Sequence, residues 1–326
     1  MLCFAFQSRQ PAPAGQIIYM APVGPVTIVA DYAKEVDNSA SAVTNSTITD
    51  NDYDSYRVGA IYNFKGGEVG ALLAWNRNAT DKATSSWTPS AGPYGYTPPY
   101  LQNTYTVLPY FKATIGPVAL QGQIQYTFGD GYKWEGTPSS FMSSAGDINI
   151  NALSVFLDAT ANLNMFYVGG SFAYLSGDDP SKHSTITGGL GVNTGGLDWN
   201  PCLIMFNTST AAYWVGMISG DTGSQVNNEM MNAWFFQGRV GVKPTPQLDV
   251  QLAISYAQAD TKPTGYVNGT YGTEVDVTGT YKITNNLSYM LGVGYLFTGD
   301  YFQGAAPNST NVDNDYLIIN KLTLSF

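Results

Sequence analysis

The residue types with chemical potential are charged groups placed at alternate positions. Arg57, Lys112, Arg239, Lys282 and Lys321 share one phase of their segments with Asp31, Glu68, Asp158, Asp249, Glu274 and Asp276. Fixed charges of both signs on one face can neutralise one another across neighbouring segments, or set up a field that orients mobile solutes. Both readings stand at this point: a solvated wall of paired charges, and a narrowing where acidic and basic clusters oppose each other.

Two acidic runs, Asp50–Asn51–Asp52–Tyr53–Asp54 and Asp313–Asn314–Asp315–Tyr316, offer oxygen ligands only. Oxygen clusters suit Ca²⁺, so Asp50, Asp52, Asp313 and Asp315 are the metal candidates. Neither run has the Gly and terminal Glu of an EF-hand loop, and solvated surface charge is the competing reading. His183, the single histidine, lies in the polar run Gly177–His183 and reads as solvent-exposed. Cys3 and Cys202 are nearly two hundred residues apart without CxxC or Cys/His spacing, and neither reads as a metal ligand. No catalytic or cofactor-binding constellation emerges from these residues, so a non-enzyme is expected.

The elements that must position these charges are strands. In Val118–Leu120–Gly122–Ile124–Tyr126–Phe128 one phase is apolar apart from a glycine, and the other phase is small or amide. The pattern recurs from Leu248 to Tyr256, Val275 to Ile283, Leu287 to Phe297 and Tyr105 to Ile115. About ten alternating residues is the length a tilted strand needs to cross a bilayer. Tight turns fall near Lys65–Gly67, Gly116–Pro117, Asn162–Asn164, Pro244–Pro246 and Thr284–Asn286. Between them lie long polar connections at about 37–52, 79–102, 130–147, 177–228, 260–271 and 299–313. Short and long connections alternate, the rhythm of an up-and-down antiparallel barrel that spans an outer membrane. The expected fold is therefore all-β: one transmembrane barrel domain over residues 1–326.

Thirteen strands account for the pattern, or fifteen if Trp199–Ser219 forms a hairpin; otherwise the apolar stretch within 177–228 folds into or over the pore. Both counts are odd, whereas single-chain bacterial barrels are normally even. The expectation is an N-terminally truncated barrel of about 14–18 strands when intact. Tyr62, Phe64, Trp75, Tyr126, Phe128, Tyr256, Tyr295, Phe297 and Phe326 fall toward strand ends on the apolar phase, where aromatic girdles form.

Composition excludes the other broad classes. Lys and Arg number 14 against 24 Asp and Glu, a net charge of −10 that gives nucleic acid nothing to hold. An aromatic content of 13% argues against disorder, and no apolar run reaches the roughly 18 residues of a transmembrane helix. The six long connections contain fourteen acidic and four basic residues, a balance equal to that of the whole chain. The expected channel thus has a negative mouth and a weak preference for cations.

The chain ends Lys321–Leu322–Thr323–Leu324–Ser325–Phe326, an alternating strand closed by an aromatic residue. This resembles the last strand of Gram-negative outer-membrane proteins, and the block from Gly272 to Asp300 resembles the final hairpin of porin-like barrels, including the alginate-export type. The resemblance covers about a tenth of the chain. It implies a bacterial outer-membrane porin whose Phe326 is read by the barrel-assembly machinery, surrounded by lipid and lipopolysaccharide, with homotrimer formation as in general porins. The implied function is passive diffusion of small hydrophilic solutes. A selective exporter of acidic polysaccharide and a structural or adhesive barrel are the alternatives, and no cofactor is expected beyond Ca²⁺ at the outer rim.

Overall fold

The computed structural model describes residues 14–38, 51–82, 86–87, 96–97, 100–134, 146–188, 201–207, 226–307 and 311–325. Asp50, Cys3, Phe326 and the run Thr210–Ile218 lie outside them. The strands are β1 (Gly15–Val23), β2 (Val26–Val36), β3 (Tyr53–Phe64), β4 (Gly67–Asn78) and two short pieces, β5 (Ser86–Trp87) and β6 (Tyr96–Thr97). There follow β7 (Tyr100–Ile115), β8 (Val118–Trp134), β9 (Ile148–Leu163), β10 (Phe166–Leu175) and the short β11 (Thr185–Ile186). The series closes with β12 (Ala233–Thr245), β13 (Leu248–Ala259), β14 (Thr270–Lys282), β15 (Leu287–Thr298) and β16 (Asp315–Leu324).

Thirteen long strands form one continuous sheet in chain order, each antiparallel to the next, with β11 laid parallel against β9. The fold is all-β and up-and-down, as the alternation demands. β10 pairs directly with β12 from Phe166↔Val242 to Leu175↔Ala233, so no strand from the intervening segment stands between them. Among the described residues β1 and β16 are each paired on one side only, and the sheet has two free edges.

Tight turns set the register at one end of the sheet. Gly24, Gly66, Gly116 and Asn164 occupy the left-handed region there, with φ near 60° in three cases and 97° at Gly66. Twelve residues, the length of β3, β4, β13 and β15, rise about 40 Å at roughly 3.3 Å each. Tilted by about 45°, such a strand covers ~28 Å, close to the hydrocarbon thickness of a bilayer. β7, β8 and β9 run to 16 or 17 residues, and β7 and β8 extend into the connections at about 79–102 and 130–147 that the alternation alone assigns to loops.

The two faces differ as a membrane wall requires. One exposes Val58, Leu73, Ile124, Leu157, Val240, Ile254, Val277, Leu291 and Ile318. A soluble protein does not leave so large a contiguous apolar area in water. Lipid is the solvent that satisfies such a face, and a sheet with one lipid-suited and one polar side is the architecture of membrane-spanning β-strands. Aromatic rings flank the belt. Toward the long-connection end Tyr56 stacks on Trp75 at 4.9 Å and Tyr105 on Phe128 at 5.6 Å. Toward the tight turns stand Tyr62 and Phe64, also stacked. These are the residue types that favour the headgroup boundary.

Candidate functional site on the polar face

The other face carries the charges. All ten of Arg57, Glu68, Lys112, Asp158, Arg239, Asp249, Glu274, Asp276, Lys282 and Lys321 lie on the phase opposite the apolar belt. Register then decides which of them meet. Asp31 on β2 stands opposite Arg57 on β3, and the guanidinium reaches Asp31 at 2.8 Å and Glu35 at 2.6 Å. Lys112 and Glu68 are cross-strand partners with 4.0 Å between their charged atoms. Asp249 accepts a hydrogen bond from the Tyr167 hydroxyl at 2.9 Å and lies 3.6 Å from the Lys243 ammonium.

Arg239 shows how the sheet builds such a contact across an intervening strand. Its partner on β10 is Gly169, whose own partner on β9 is Thr160. A Cβ at Gly169 would stand 2.9 Å from the guanidinium, so only glycine lets the side chain lie flat across β10. The guanidinium then donates to Ser171 Oγ at 2.7 Å, to Thr160 Oγ1 at 2.5 Å and to Asp158, whose nearer carboxylate oxygen is 2.8 Å away. Ser171 donates onward to Asp158 at 2.6 Å, completing the network.

A second arrangement covers the polar face of β10 and β12–β15. The segment Pro201–Asn207 lies against it, and Ile204, Met205 and Phe206 are buried with Leu175, Phe235, Ala257, Tyr271 and Leu296 in one apolar cluster. Polar bonds fix the segment. Glu274 accepts three consecutive backbone amides: Leu203 N at 2.9 Å and Ile204 N at 2.7 Å on Oε1, and Met205 N at 2.6 Å on Oε2. Leu203 N also reaches Asp276 at 3.2 Å, and Gln237 donates to the Pro201 carbonyl at 2.5 Å. Glu274 and Asp276 therefore face the segment, where alternation alone would leave them facing water. The missing room is supplied by Gly292 and Gly294, against which Leu203 packs.

Cys202 enters this region with Glu274 and Asp276. One ligand atom from each lies within 4.8 Å of the others, and all three residues are buried. Burial, with two carboxylates alongside, pushes the thiol well above its ordinary range. Sequence spacing does not reveal this grouping, because the carboxylates stand some seventy residues further along the chain than Cys202.

The acidic rim residues have other partners. Asp52 accepts from Lys34 Nζ at 2.5 Å and from the Asn38 amide at 3.0 Å, so the first oxygen cluster is an ion pair where Asp52 is concerned. Asp315 accepts the Tyr316 amide at 2.8 Å, and Asp313 is exposed. Asp260 gathers the Trp234 indole at 2.9 Å and the Gly177 amide at 2.9 Å, tying two long connections together. Ser181 donates both its amide and its hydroxyl to Asp179 and holds that carboxyl below the usual carboxylate range. His183 is exposed.

No family model and no curated protein matches the chain. Solved structures with a related outline include the Pseudomonas aeruginosa outer membrane protein OpdK at 14% identity, covering 95% of this chain and 70% of that one, with a TM-score of 0.44. OprD from the same organism follows at 12% identity, 94% and 67% coverage and a TM-score of 0.40. A ferric enterobactin receptor, PfeA, reaches a TM-score of 0.47 at 9% identity, with 90% of this chain covered. The chain spans 43% of that receptor's length.

Proposed function

We propose that this chain forms an outer-membrane channel for passive diffusion of small hydrophilic solutes, with a weak preference for cations that arises at its mouth. The observation that carries the reading is the division of one continuous sheet into a lipid-suited apolar face and a polar face laced with cross-strand ion pairs. A polar inner surface beside an apolar outer one is the arrangement of a water-filled barrel. The inner charges are largely neutralised by each other: Arg57 by Asp31 and Glu35, Arg239 by Asp158, Lys112 by Glu68. Paired charges give a wall little net field. An exporter of acidic polysaccharide needs unpaired arginines along its path, and Arg57 and Arg239 are both engaged.

The acidic excess resides in the long connections, where Asp178, Asp300 and Asp313 are exposed. Solvent and salt screen such charges strongly. The K⁺ to Cl⁻ permeability ratio is expected to exceed one at about 0.01 M salt, where the Debye length is roughly 30 Å, and to approach one near 1 M, where it is about 3 Å. Reversal potentials across a salt series test this, and Asp178→Asn, Asp300→Asn and Asp313→Asn combined should lower the ratio at low salt. Strong, anionic or salt-independent selectivity would place control in the wall and defeat the proposal.

A further inference from the structure

Beneath the Pro201–Asn207 segment, β14 presents Glu274 and Asp276 two residues apart on the same face, and the segment brings Cys202 to them. Glu274 is fully buried, Cys202 is 3% exposed and Asp276 is 4% exposed. Among the described residues no Lys, Arg or His forms an ion pair with either carboxylate. The Glu274 carboxylate has its three amides. Asp276 has one long bond to Leu203 N through Oδ2, while Oδ1 is buried without any hydrogen-bond partner. Gly294 leaves the room for that carboxylate, since a Cβ there would lie 2.7 Å from Oδ1.

A buried carboxylate without compensation is strongly unfavourable, so positive charge belongs at this place. A proton shared by the two acids would supply it; a cation would supply it and also engage the adjacent sulfur of Cys202. We infer that Cys202, Glu274 and Asp276 form a binding site for a thiophilic divalent cation of the Zn²⁺ class. Thiolate with two carboxylates is a donor set such ions accept, and water can fill a fourth position. A tetrahedral site with metal–sulfur distances near 2.3 Å and metal–oxygen distances near 2.1 Å sets its donors roughly 3.4–3.6 Å apart. Donors already within 4.8 Å reach that spacing by small side-chain adjustments.

Charge supports the assignment. Three anionic donors and a divalent ion leave one net negative charge, and the three consecutive amides aimed at Glu274 stabilise it as a backbone nest does. Binding releases to solvent the thiol proton, as the Cys202–metal bond forms, together with any proton shared by Glu274 and Asp276. The ion would staple the segment to the barrel wall and thereby fix the bore of the passage. The site stands on its own geometry and is independent of whether the barrel conducts.

The test is a Co²⁺ titration of the full chain folded in detergent micelles, followed by displacement with Zn²⁺. A thiolate-to-Co²⁺ charge-transfer band should grow to one equivalent and vanish with one equivalent of Zn²⁺. Cys202→Ser should abolish the band, Cys3→Ser should keep it, and Asp276→Asn should weaken Zn²⁺ binding at least tenfold. The unmodified chain alone decides the main point, whatever the variants do to folding. Absence of the band there, saturation only far above one equivalent, or a band that persists in folded Cys202→Ser protein would overturn the assignment and leave a shared proton as the compensating charge.

Discussion

Arg239 reaches Asp158 across β10, which contributes the Ser171 hydroxyl to the network and, at Gly169, the absence of a side chain. That contact is a statement about geometry as much as about charge. Both partners are largely buried, and removing one leaves the other short of its hydrogen bonds. Arg239→Ala and Asp158→Ala should each destabilise the folded barrel by about 2 kcal/mol, and the double variant should cost clearly less than the sum. Gly169→Val should reproduce most of the loss without touching either charge. Urea unfolding in detergent or lipid measures all four. Additive effects would mean the guanidinium and the carboxylate do not act as a pair. Alternation in the sequence places Arg239 and Asp158 on one face, but only the register of β9, β10 and β12 shows that they meet. Ser171 belongs to the same ladders, Glu35 joins Arg57 from β2, and strand phase alone gives no reason to pick either out.

At the scale of elements, the strands were legible because a half-buried strand must alternate, and tight turns must carry residues that tolerate positive φ. The count of thirteen, the short turns near Gly66 and Gly116 and the long polar connections all follow from those two constraints. The segment Pro201–Asn207 was legible only as too apolar for water. Its docking depends on Glu274, which reads in the sequence as one more charge of the wall, and on Gly292 and Gly294, which read as weak strand positions. Replacing Glu274 by Ala leaves three buried amides without an acceptor, an effect of order 3 kcal/mol on the docked segment. In a Cys3→Ser background, the buried Cys202 of the folded protein should resist alkylation at neutral pH, and Glu274→Ala should raise its alkylation rate at least tenfold. An unchanged rate would mean that the apolar cluster around Phe206 and Phe235 holds the segment without the carboxylate.

For the whole molecule, the sheet joins three facts that have one physical solution: an apolar belt facing outward, a polar ladder on the reverse face, and an acidic excess at the end with long connections. Composition already argues against helical membrane spans, and counting charges by connection already gives the division between wall and mouth, while which wall charges pair is known only from strand register. The central claim is that this wall encloses water. Planar-bilayer recording of the 326-residue chain, folded in detergent and added at low protein concentration, tests it most directly. The account predicts discrete ohmic steps whose conductance scales with bulk salt at high ionic strength. Bilayers that incorporate the folded protein yet show no steps would contradict it, and would mean that the inserted segment seals the barrel or that the sheet encloses no continuous aqueous path.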